Sequence, residues 1–284
     1  MSSVTLPADI PETVARALAE DIGTGDVTAA LIAPGALAKA EVRARERAIL
    51  CGAAWFDEVF RRIDPRIAVQ WRCTDGAEVS ADSVVCSLQG PARGILTGER
   101  TALNFLQTLS GTATTARRYA DAVAGTQARV LDTRKTLPGL RSAQKYAVRC
   151  GGASNHRQGL FDAVLIKENH IAAAGGIAAA VRHARQDAGP LMIEIEVETL
   201  DELHQALATD ADRVLLDNFT LEDMRGAVAI RDEAAGAGKR PGLEASGNVS
   251  LETLRAIAET GIDFISVGAL TKHLQATDYS MRFI

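Results

Sequence analysis

The chain has 284 residues, with 31 Lys and Arg against 36 Asp and Glu, a formal net charge of −5. Hydrophobic residues make up 47% and charged residues 24%, a globular composition that excludes the disordered and fibrous classes. An acidic chain with only 4% aromatic residues is not expected to bind nucleic acid or an acidic membrane. Any phosphate binding must therefore come from a local basic cluster.

The sequence predicts neither a targeting signal nor a cysteine-based metal or disulfide site. The start of the chain lacks a charged segment followed by an apolar run, so no secretory signal is expected. The longest uncharged apolar stretch, residues 172–181, is shorter than the roughly 20 residues of a membrane span. Cys51, Cys73, Cys86 and Cys150 show no CxxC pair and no metal-ligand spacing with histidine. Reduced core thiols and a cytoplasmic protein are expected.

The first part of the chain alternates short segments of different kinds, which is typical of an α+β sandwich. Residues 39–50, for example, alternate small apolar residues with arginines, the two-residue period of a strand with one wet face. In chain order, the pattern predicts a helix at 11–20, a turn at 23–26, a strand at 39–50, a helix at 53–63, strands at 67–73 and 78–88, and a helix at 97–109. This domain is assigned to residues 1–112.

After residue 112, short buried-strand patterns alternate with helical patterns, which implies parallel strands joined by right-handed crossovers. Six units are countable, so the prediction is an α/β protein whose second domain, residues 113–273, is an open, incomplete, about six-stranded β/α barrel. The tail, residues 274–284, is expected to return to the first domain. The predicted strands are 128–131, 163–166, 192–195, 213–216, 242–245 and 264–267, and helices are predicted at 176–187, 200–208, 221–234 and 251–260.

Polar residues directly follow most of these strands. In β/α barrels and open parallel sheets, ligands bind at the carboxyl ends of the strands. The predicted reactive edge therefore carries Asp132, Thr133, Arg134, Lys135, Lys167, Glu196, Asp217, Ser246 and Gly268.

The segment from Asp132 to His170 reverses the charge of the chain. Its seven basic and three acidic residues give a net charge of +4, which predicts a pocket for a polyanion. Arg134, Lys135, Arg157 and Lys167 lie in strand-end loops and are the candidate ligand-binding cations, with His156 as an anion-binding donor beside Arg157. For Arg141, Lys145 and Arg149, spaced four apart, a solvated helix face is the favoured interpretation.

Three alternating carboxylates, Glu194, Glu196 and Glu198, are predicted to share one strand face. Glu196, with Asp217 from the next strand, would face sugar hydroxyls or a substrate-bound Mg²⁺. The alternative is an internal ion pair with one of the cations. The spacing leaves both interpretations open.

Two glycine loops precede the last helices. Ser246-Gly247-Asn248 and Val267-Gly268-Ala269 each follow a strand and lead into a helix, where backbone N–H groups can hold a phosphate. Each signal is weak alone because such a glycine also makes tight turns. Together they match the phosphate site common in β/α barrels.

Several runs of this sequence resemble the signature of the quinolinate phosphoribosyltransferase family, and the resemblance covers essentially the whole chain. One departure is Ala153-Ser154, where the family pattern has a third glycine. The matching runs are 99–104, 109–114, 132–136, 138–139, 145–148, 151–152, 155–157, Lys167 with 169–170, 194–197, 216–218, 244–247 and 267–269.

The resemblance implies that quinolinate and phosphoribosyl pyrophosphate (PRPP), with Mg²⁺, give nicotinate mononucleotide, pyrophosphate and CO₂, without an organic cofactor. It also implies a homodimer in which Arg100 reaches the active site of the adjacent chain. Lys135, Glu196 and Asp217 would be catalytic, and the two carboxylates would contact the ribose or Mg²⁺. Arg134, His156, Arg157 and Lys167 would hold quinolinate, with Thr133 and Lys135 nearby, and Ser246, Gly247, Asn248, Val267, Gly268 and Ala269 would hold phosphates.

Three other functions remain as alternatives. A homologue associated with molybdate transport shares the implied fold. A nicotinate-using transferase would need fewer cations than Arg134, Arg157 and Lys167 provide. A non-catalytic binder of phosphorylated metabolites would not need Glu196 and Asp217 beside its anions. No Ser-His-Asp or Cys-His arrangement is evident, so no covalent nucleophile is predicted.

Overall fold

The computed structural model describes residues 4–235 and 240–284, and the first three residues of the segment searched for a secretory signal lie outside that range. The chain divides into two compact units. The first contains the residues up to Arg117, Thr136–Gly152 and Leu270–Ile284, and the second contains Arg118–Lys135 and Ala153–Ala269. Within the described residues, no helix is both long enough and apolar enough to cross a membrane.

The first unit contains a four-stranded antiparallel sheet. Its strands, in spatial order, are β12 (Tyr279–Phe283), β1 (Leu37–Ala44), β5 (Val84–Pro91) and β3 (Ala68–Trp71). The end of the chain thus forms an edge strand beside β1. A separate small pair consists of β2 (Ala48–Ile49) and β4 (Glu78–Val79).

Two strands predicted as continuous are each broken in two. The 78–88 run splits into β4 and β5 because the chain turns at Asp82, whose φ is +60°. The N–H of Ala44 donates to Ser83 and the N–H of Asp82 donates to Ala44, which ends β1 and splits the 39–50 run. The apolar–polar alternation lapses at both breaks, at Arg45-Glu46-Arg47 and at Asp82-Ser83, where polar residues follow one another.

The helices of the first unit supply much of its buried core. They are α1 (Ile10–Ile22), α2 (Ala53–Ile63), α3 (Ala92–Ala122) and α4 (Arg141–Cys150). On α2, Trp55, Phe56 and Phe60 are fully buried, and the ring of Phe56 lies 5.2 Å from that of Trp71 on β3. α3 is much longer than its predicted 97–109 core, and it runs through residue 112, where the sequence pattern changes.

The second unit is an open six-stranded parallel sheet, as the sequence predicts. Its spatial order is β6-β11-β10-β9-β8-β7, so β6 and β7 are the edges. The strands are β6 (Arg129–Leu131), β7 (Ala163–Ile166), β8 (Met192–Val197), β9 (Arg213–Asp217), β10 (Gly242–Ser246) and β11 (Phe264–Ser266). The helices are α5 (Glu168–Ala174), α6 (Ile177–Ala188), α7 (Leu200–Leu207), α8 (Leu221–Ala234) and α9 (Leu251–Ala258), and the short α10 (Ala269–Lys272) follows β11.

Threonine caps start two of these helices directly after the strand ends. Thr199 and Thr220 each accept a hydrogen bond, at 3.2 Å, from a backbone N–H in the first turn of α7 and α8. The loops after β8 and β9 are therefore short, and residues at the strand ends stay on a rigid sheet edge.

The outer edge of β6 is covered by backbone. Ser154 donates its N–H to Val130 at 2.9 Å and accepts the N–H of Asp132 at 3.1 Å, forming a parallel bridge with Leu131. The residues at the departure from the family pattern thus pair with the first strand of the sheet.

Candidate active site

All but one of the predicted site residues belong to the second unit. The parallel register aligns the strand ends: Ile166 is opposite Ile195, and Asp217 is opposite Ser246. The side chains that follow these strands therefore emerge along a single edge of the sheet. Arg100 is the exception, because it lies exposed on α3 in the first unit.

Lys167 and Glu196 form an ion pair at this edge. The distance from Lys167 Nζ to Glu196 Oε2 is 2.5 Å. The lysine side chain is 46% exposed and the glutamate side chain only 11%. Of the two interpretations of Glu196, the internal ion pair is thus present here, and the cation is one that the resemblance assigns to substrate.

A buried carboxylate holds the loop that carries His156 and Arg157. Asp132 has no exposed surface, and its two oxygens accept the Asn155 side-chain amide at 2.6 Å and the His156 N–H at 2.8 Å. Asp132 directly follows β6, so this loop is fixed to the sheet edge. The resemblance assigned no role to Asp132.

Both ring nitrogens of His156 are engaged. Nδ1 accepts the N–H of Arg157 at 2.7 Å, and Nε2 lies 2.8 Å from Glu194 and 3.5 Å from Glu244. One ring nitrogen thus bonds to the Arg157 backbone while the other faces the two carboxyl groups, so the imidazole is held from both sides. A contact from His156 to a substrate carboxylate stays a prediction, and it would require one of these bonds to be exchanged.

Beneath His156, two carboxyl groups lie inside the sheet. Glu194 and Glu244 are both fully buried, and Arg213 Nη1 lies 2.8 Å from Glu244 and 3.9 Å from Glu194. The guanidinium of Arg213 also stacks 4.0 Å above the Phe264 ring. Burial, and then the repulsion of Glu194, raise the pKa of Glu244 to about 7, and burial also raises the pKa of Glu194.

Glu244 and Arg213 were missed as part of the candidate site. The available signal was a glutamate inside an otherwise apolar strand, since an ionisable residue is rarely fully buried without partners. Of the three alternating glutamates, Glu194 is buried, Glu196 reaches the edge, and Glu198 lies exposed beyond the end of β8.

The side chains of Arg134 and Arg157 are close enough to repel each other. Burial lowers the pKa of Arg157, and the neighbouring charge of Arg134 lowers it further. Arg157 Nη1 donates to the Ala163 carbonyl at 3.3 Å, which anchors it at the start of β7. Two guanidinium groups held together gain most from a ligand with more than one negative charge.

The prediction of a solvated face on α4 is wrong for one of its three cations. Arg149 is exposed, but Lys145 retains only 2% exposure. Helical spacing shows that residues share a face, and it does not show which face is outside.

The loop after β10 depends on glycine. A Cβ on Gly247 would lie 2.1 Å from Asn218 Oδ1, and its φ of +96° disfavours other residues. Asn218 and Asn248 also adopt positive φ, and the Asn248 amide donates to Asn218 at 3.3 Å. The neighbouring strand ends are therefore locked into one turn conformation.

The loop after β11 packs against the loop after β6. A Cβ on Gly268 would meet Lys135 Cδ at 2.9 Å, and Thr133 Oγ1 lies 3.6 Å away. Val267 donates its N–H to the Leu131 carbonyl at 2.8 Å, so this amide is already used by the sheet. Phosphate binding by the remaining amides of the loop, at Gly268 and Ala269, stays a prediction.

Comparison with known families agrees with the resemblance in the sequence. Residues 26–110 match the N-terminal domain of quinolinate phosphoribosyl transferase, and residues 112–282 match its C-terminal domain. The chain is 42% identical, over 95% of both chains, to the nicotinate-nucleotide pyrophosphorylase (carboxylating) of Mycobacterium leprae. It is 41% identical to the probable enzyme of the same name from Bacillus subtilis, over 92% of this chain and 89% of that one.

Solved structures give the same result. The nicotinate-nucleotide pyrophosphorylase of Francisella tularensis superposes with a TM-score of 0.94 and 48% identity, covering 99% of this chain and 98% of that one. Human nicotinic acid phosphoribosyltransferase superposes with a TM-score of 0.62 at 16% identity, over 87% of this chain and 70% of that one, which shows a shared fold alone.

Proposed function

The chain belongs to the quinolinate phosphoribosyltransferase family of enzymes, and we propose that it transfers the phosphoribosyl group of PRPP to quinolinate with Mg²⁺. The products are nicotinate mononucleotide, pyrophosphate and CO₂, a step of de novo NAD biosynthesis. One observation carries the proposal: paired cations, a Lys167–Glu196 ion pair and Asp217 line the carboxyl edge of a single parallel sheet.

Arg134 and Arg157 bind the two carboxylates of quinolinate. Their mutual repulsion is relieved by a dianion, whereas nicotinate has one carboxylate fewer and relieves less of it. Asp132 and His156 hold the Arg157 loop in place through the bonds described above, so the loop is ordered before substrate arrives. The preference for a dicarboxylate over a monocarboxylate follows from this charge balance.

In a site without substrate, Lys167 and Glu196 neutralise each other as an ion pair. When a quinolinate carboxylate binds Lys167, the lysine changes partner and the carboxylate of Glu196 is released. Glu196 can then stabilise the positive charge that develops at the ribose C1 as pyrophosphate departs. Asp217, in the next strand, acts on the same side of the ribose, and Lys135 faces the departing anion.

The residues present fit Mg²⁺ bound with PRPP, because Glu196 and Asp217 offer carboxylate oxygens from adjacent strands, the ligand type that Mg²⁺ prefers. When bound, Mg²⁺ supplies charge neutralisation of pyrophosphate. The turns at 246–248 and 267–269 hold the phosphates through backbone N–H groups. The ribosylated ring nitrogen is positively charged and accepts the electrons left by CO₂, so decarboxylation needs no organic cofactor.

We propose further that the enzyme is a cytoplasmic homodimer. Arg100 is exposed on the first unit, where it is available to complete the site of an adjacent chain, as the family resemblance implies.

The decisive experiment measures labelled CO₂ released from quinolinate in the presence of PRPP and Mg²⁺, with nicotinate as the parallel substrate. PRPP-dependent CO₂ with formation of nicotinate mononucleotide is the expected result, and omission of Mg²⁺ should abolish it. Folded protein that turns over nicotinate but not quinolinate would refute the proposed substrate.

A further inference from the structure

Two thiols that are distant in the sequence meet in the core of the first unit. The sulfur atoms of Cys51 and Cys150 and one carboxylate oxygen of Asp75 all lie within 4.8 Å of one another. Cys51 is fully buried, while Cys150 retains 7% exposure. The spacing argument that treated the cysteines as separate core thiols could not detect this pair.

The backbone holds the two thiols together. Ser110 Oγ accepts the N–H of Cys51 at 3.0 Å and bonds to its carbonyl at 3.2 Å. Cys150 is the last residue of α4, and a Cβ on the next residue, Gly151, would lie 2.3 Å from the Ala113 carbonyl, so α4 ends tightly against α3. Neither sulfur can move away easily, and fixed proximity greatly favours a reaction between two groups.

Asp75 is not available as a metal ligand. Its Oδ1 accepts the N–H groups of Gly52 and Ala53, at 3.1 and 3.2 Å, and its Oδ2 accepts the Tyr146 hydroxyl at 2.9 Å. A metal ion that took Asp75 as a ligand would have to displace these hydrogen bonds. Without Asp75, the cluster offers it only two thiolates. Chemistry between the two sulfurs fits the cluster better than coordination does.

The two thiols are also unequal. The neighbouring Cys51 thiol lowers the pKa of Cys150, and Arg149 lowers it further, although burial opposes both. Burial, followed by the neighbouring Cys150 sulfur, raises the pKa of Cys51 far above its ordinary range. Since the thiolate is the reactive form, Cys150 is the nucleophile and Cys51 the second thiol.

We propose that Cys51 and Cys150 form a peroxide-reactive pair that closes to a disulfide. The Cys150 thiolate attacks one oxygen of hydrogen peroxide, the O–O bond breaks, and hydroxide departs. Cys150 is then a sulfenic acid. The Cys51 sulfur then attacks that sulfur, its proton leaves with the departing hydroxyl as water, and the S–S bond forms. Two thiols are oxidised by two electrons, and one peroxide is reduced to two waters.

The test maps the thiols of the whole, folded protein. Reduced protein is exposed to hydrogen peroxide, quenched, denatured, alkylated and digested for mass spectrometry. We expect a crosslinked Cys51–Cys150 peptide lighter by two hydrogen atoms, and its loss after reduction. Cys73 and Cys86 are the internal control, because burial raises the pKa of both. After peroxide treatment, both should still react fully with the alkylating agent.

Two variants separate the steps. In Cys51→Ser, dimedone should trap the sulfenic acid on Cys150, whereas in Cys150→Ser, Cys51 should remain fully alkylatable. Full alkylation of Cys51 in peroxide-treated wild type, or a disulfide between Cys73 and Cys86 instead, would overturn the proposal. The wild-type mapping decides the question even if a serine variant folds poorly.

Discussion

Nε2 of His156 lies 2.8 Å from the buried Glu194, while its Nδ1 accepts the N–H of Arg157. The imidazole therefore connects a carboxyl pair inside the sheet to the loop that presents Arg157. In this position the ring helps to hold the Arg157 backbone, while the direct substrate contact expected of His156 stays a prediction.

Arg157→Ala should raise the KM for quinolinate by about 10- to 100-fold, the cost of a lost charge-assisted hydrogen bond. The KM for PRPP should change little. Steady-state kinetics with each substrate varied in turn measures both values. Arg149→Ala, an exposed arginine on α4, is the matched control and should leave both unchanged. Equal losses for both substrates in Arg157→Ala would place Arg157 outside the quinolinate pocket.

Glu244→Gln should change the pH dependence of stability. The carboxyl has a pKa of about 7 when folded and near 4.5 when unfolded, so between these values only the folded state keeps the proton. Stability of the wild type therefore falls as pH rises through this window, by up to roughly 3 kcal/mol from this group. Urea unfolding at pH 4.5, 6 and 7.5 should show a smaller fall in the variant. If the free energies of unfolding of wild type and variant fell equally with pH, the raised pKa of Glu244 would be contradicted.

Glu196→Gln should lower kcat by about 100-fold or more, since the negative charge that stabilises the developing cation at the ribose is lost. Glu198→Gln lies two residues further, exposed beyond the strand, and should retain wild-type kcat. Calorimetric titration with quinolinate alone should show that Glu196→Gln still binds this substrate. A wild-type kcat in Glu196→Gln would remove this carboxylate from the chemistry.

Gly247→Ala should weaken PRPP binding at least 10-fold and destabilise the fold by about 1–3 kcal/mol, because the added Cβ collides with Asn218 and φ is positive. Gly226→Ala, in α8 with no atom nearer than 3.9 Å, is the control and should stabilise slightly. Thermal unfolding and the KM for PRPP measure the two effects. Unchanged PRPP kinetics in a folded Gly247→Ala variant would argue against a phosphate role for this turn.

Mixing inactive Arg100→Ala chains with inactive Lys167→Ala chains should restore activity if Arg100 acts across a dimer. In a random equal mixture, about half of the dimers contain one chain of each variant, and each of these has one intact site. About a quarter of all sites, and so of wild-type activity, should be regained. Tagged mixed dimers, purified and assayed, give the measurement. Verified mixed dimers without activity would assign Arg100 to its own chain's site or to no site.

The periodicity of the sequence predicted the parallel sheet well because each strand is buried on both faces and reads as a short apolar run. The ends of the strands could also be predicted, since Lys167, Glu196 and Asp217 interrupt those runs. Breaks such as the turn at Asp82 are marked in the sequence only by a few consecutive polar residues, which do not show that strand pairing changes there. Local patterns record which face is buried, but they do not record when backbone pairing changes.

The partners of buried charges were harder to predict. Glu196 pairs with Lys167 across neighbouring strands, which follows from register once the strand order is known. The contacts among His156, Glu194 and Glu244 depend on a loop that folds back over the sheet, and no sequence spacing encodes that path. The meeting of Cys51 and Cys150 is a product of tertiary packing in the same way.

The bridge between Leu131 and Ser154 has a consequence for solubility. The segment that leads to the loop of His156 and Arg157 also shields the open edge of β6, and an exposed edge strand is a template for intermolecular pairing. Substitutions that detach this segment should therefore have a second effect besides disturbing the site, because they expose the unpaired backbone groups of β6. Variants in which Ser154 no longer pairs with β6 should therefore aggregate as well as lose activity.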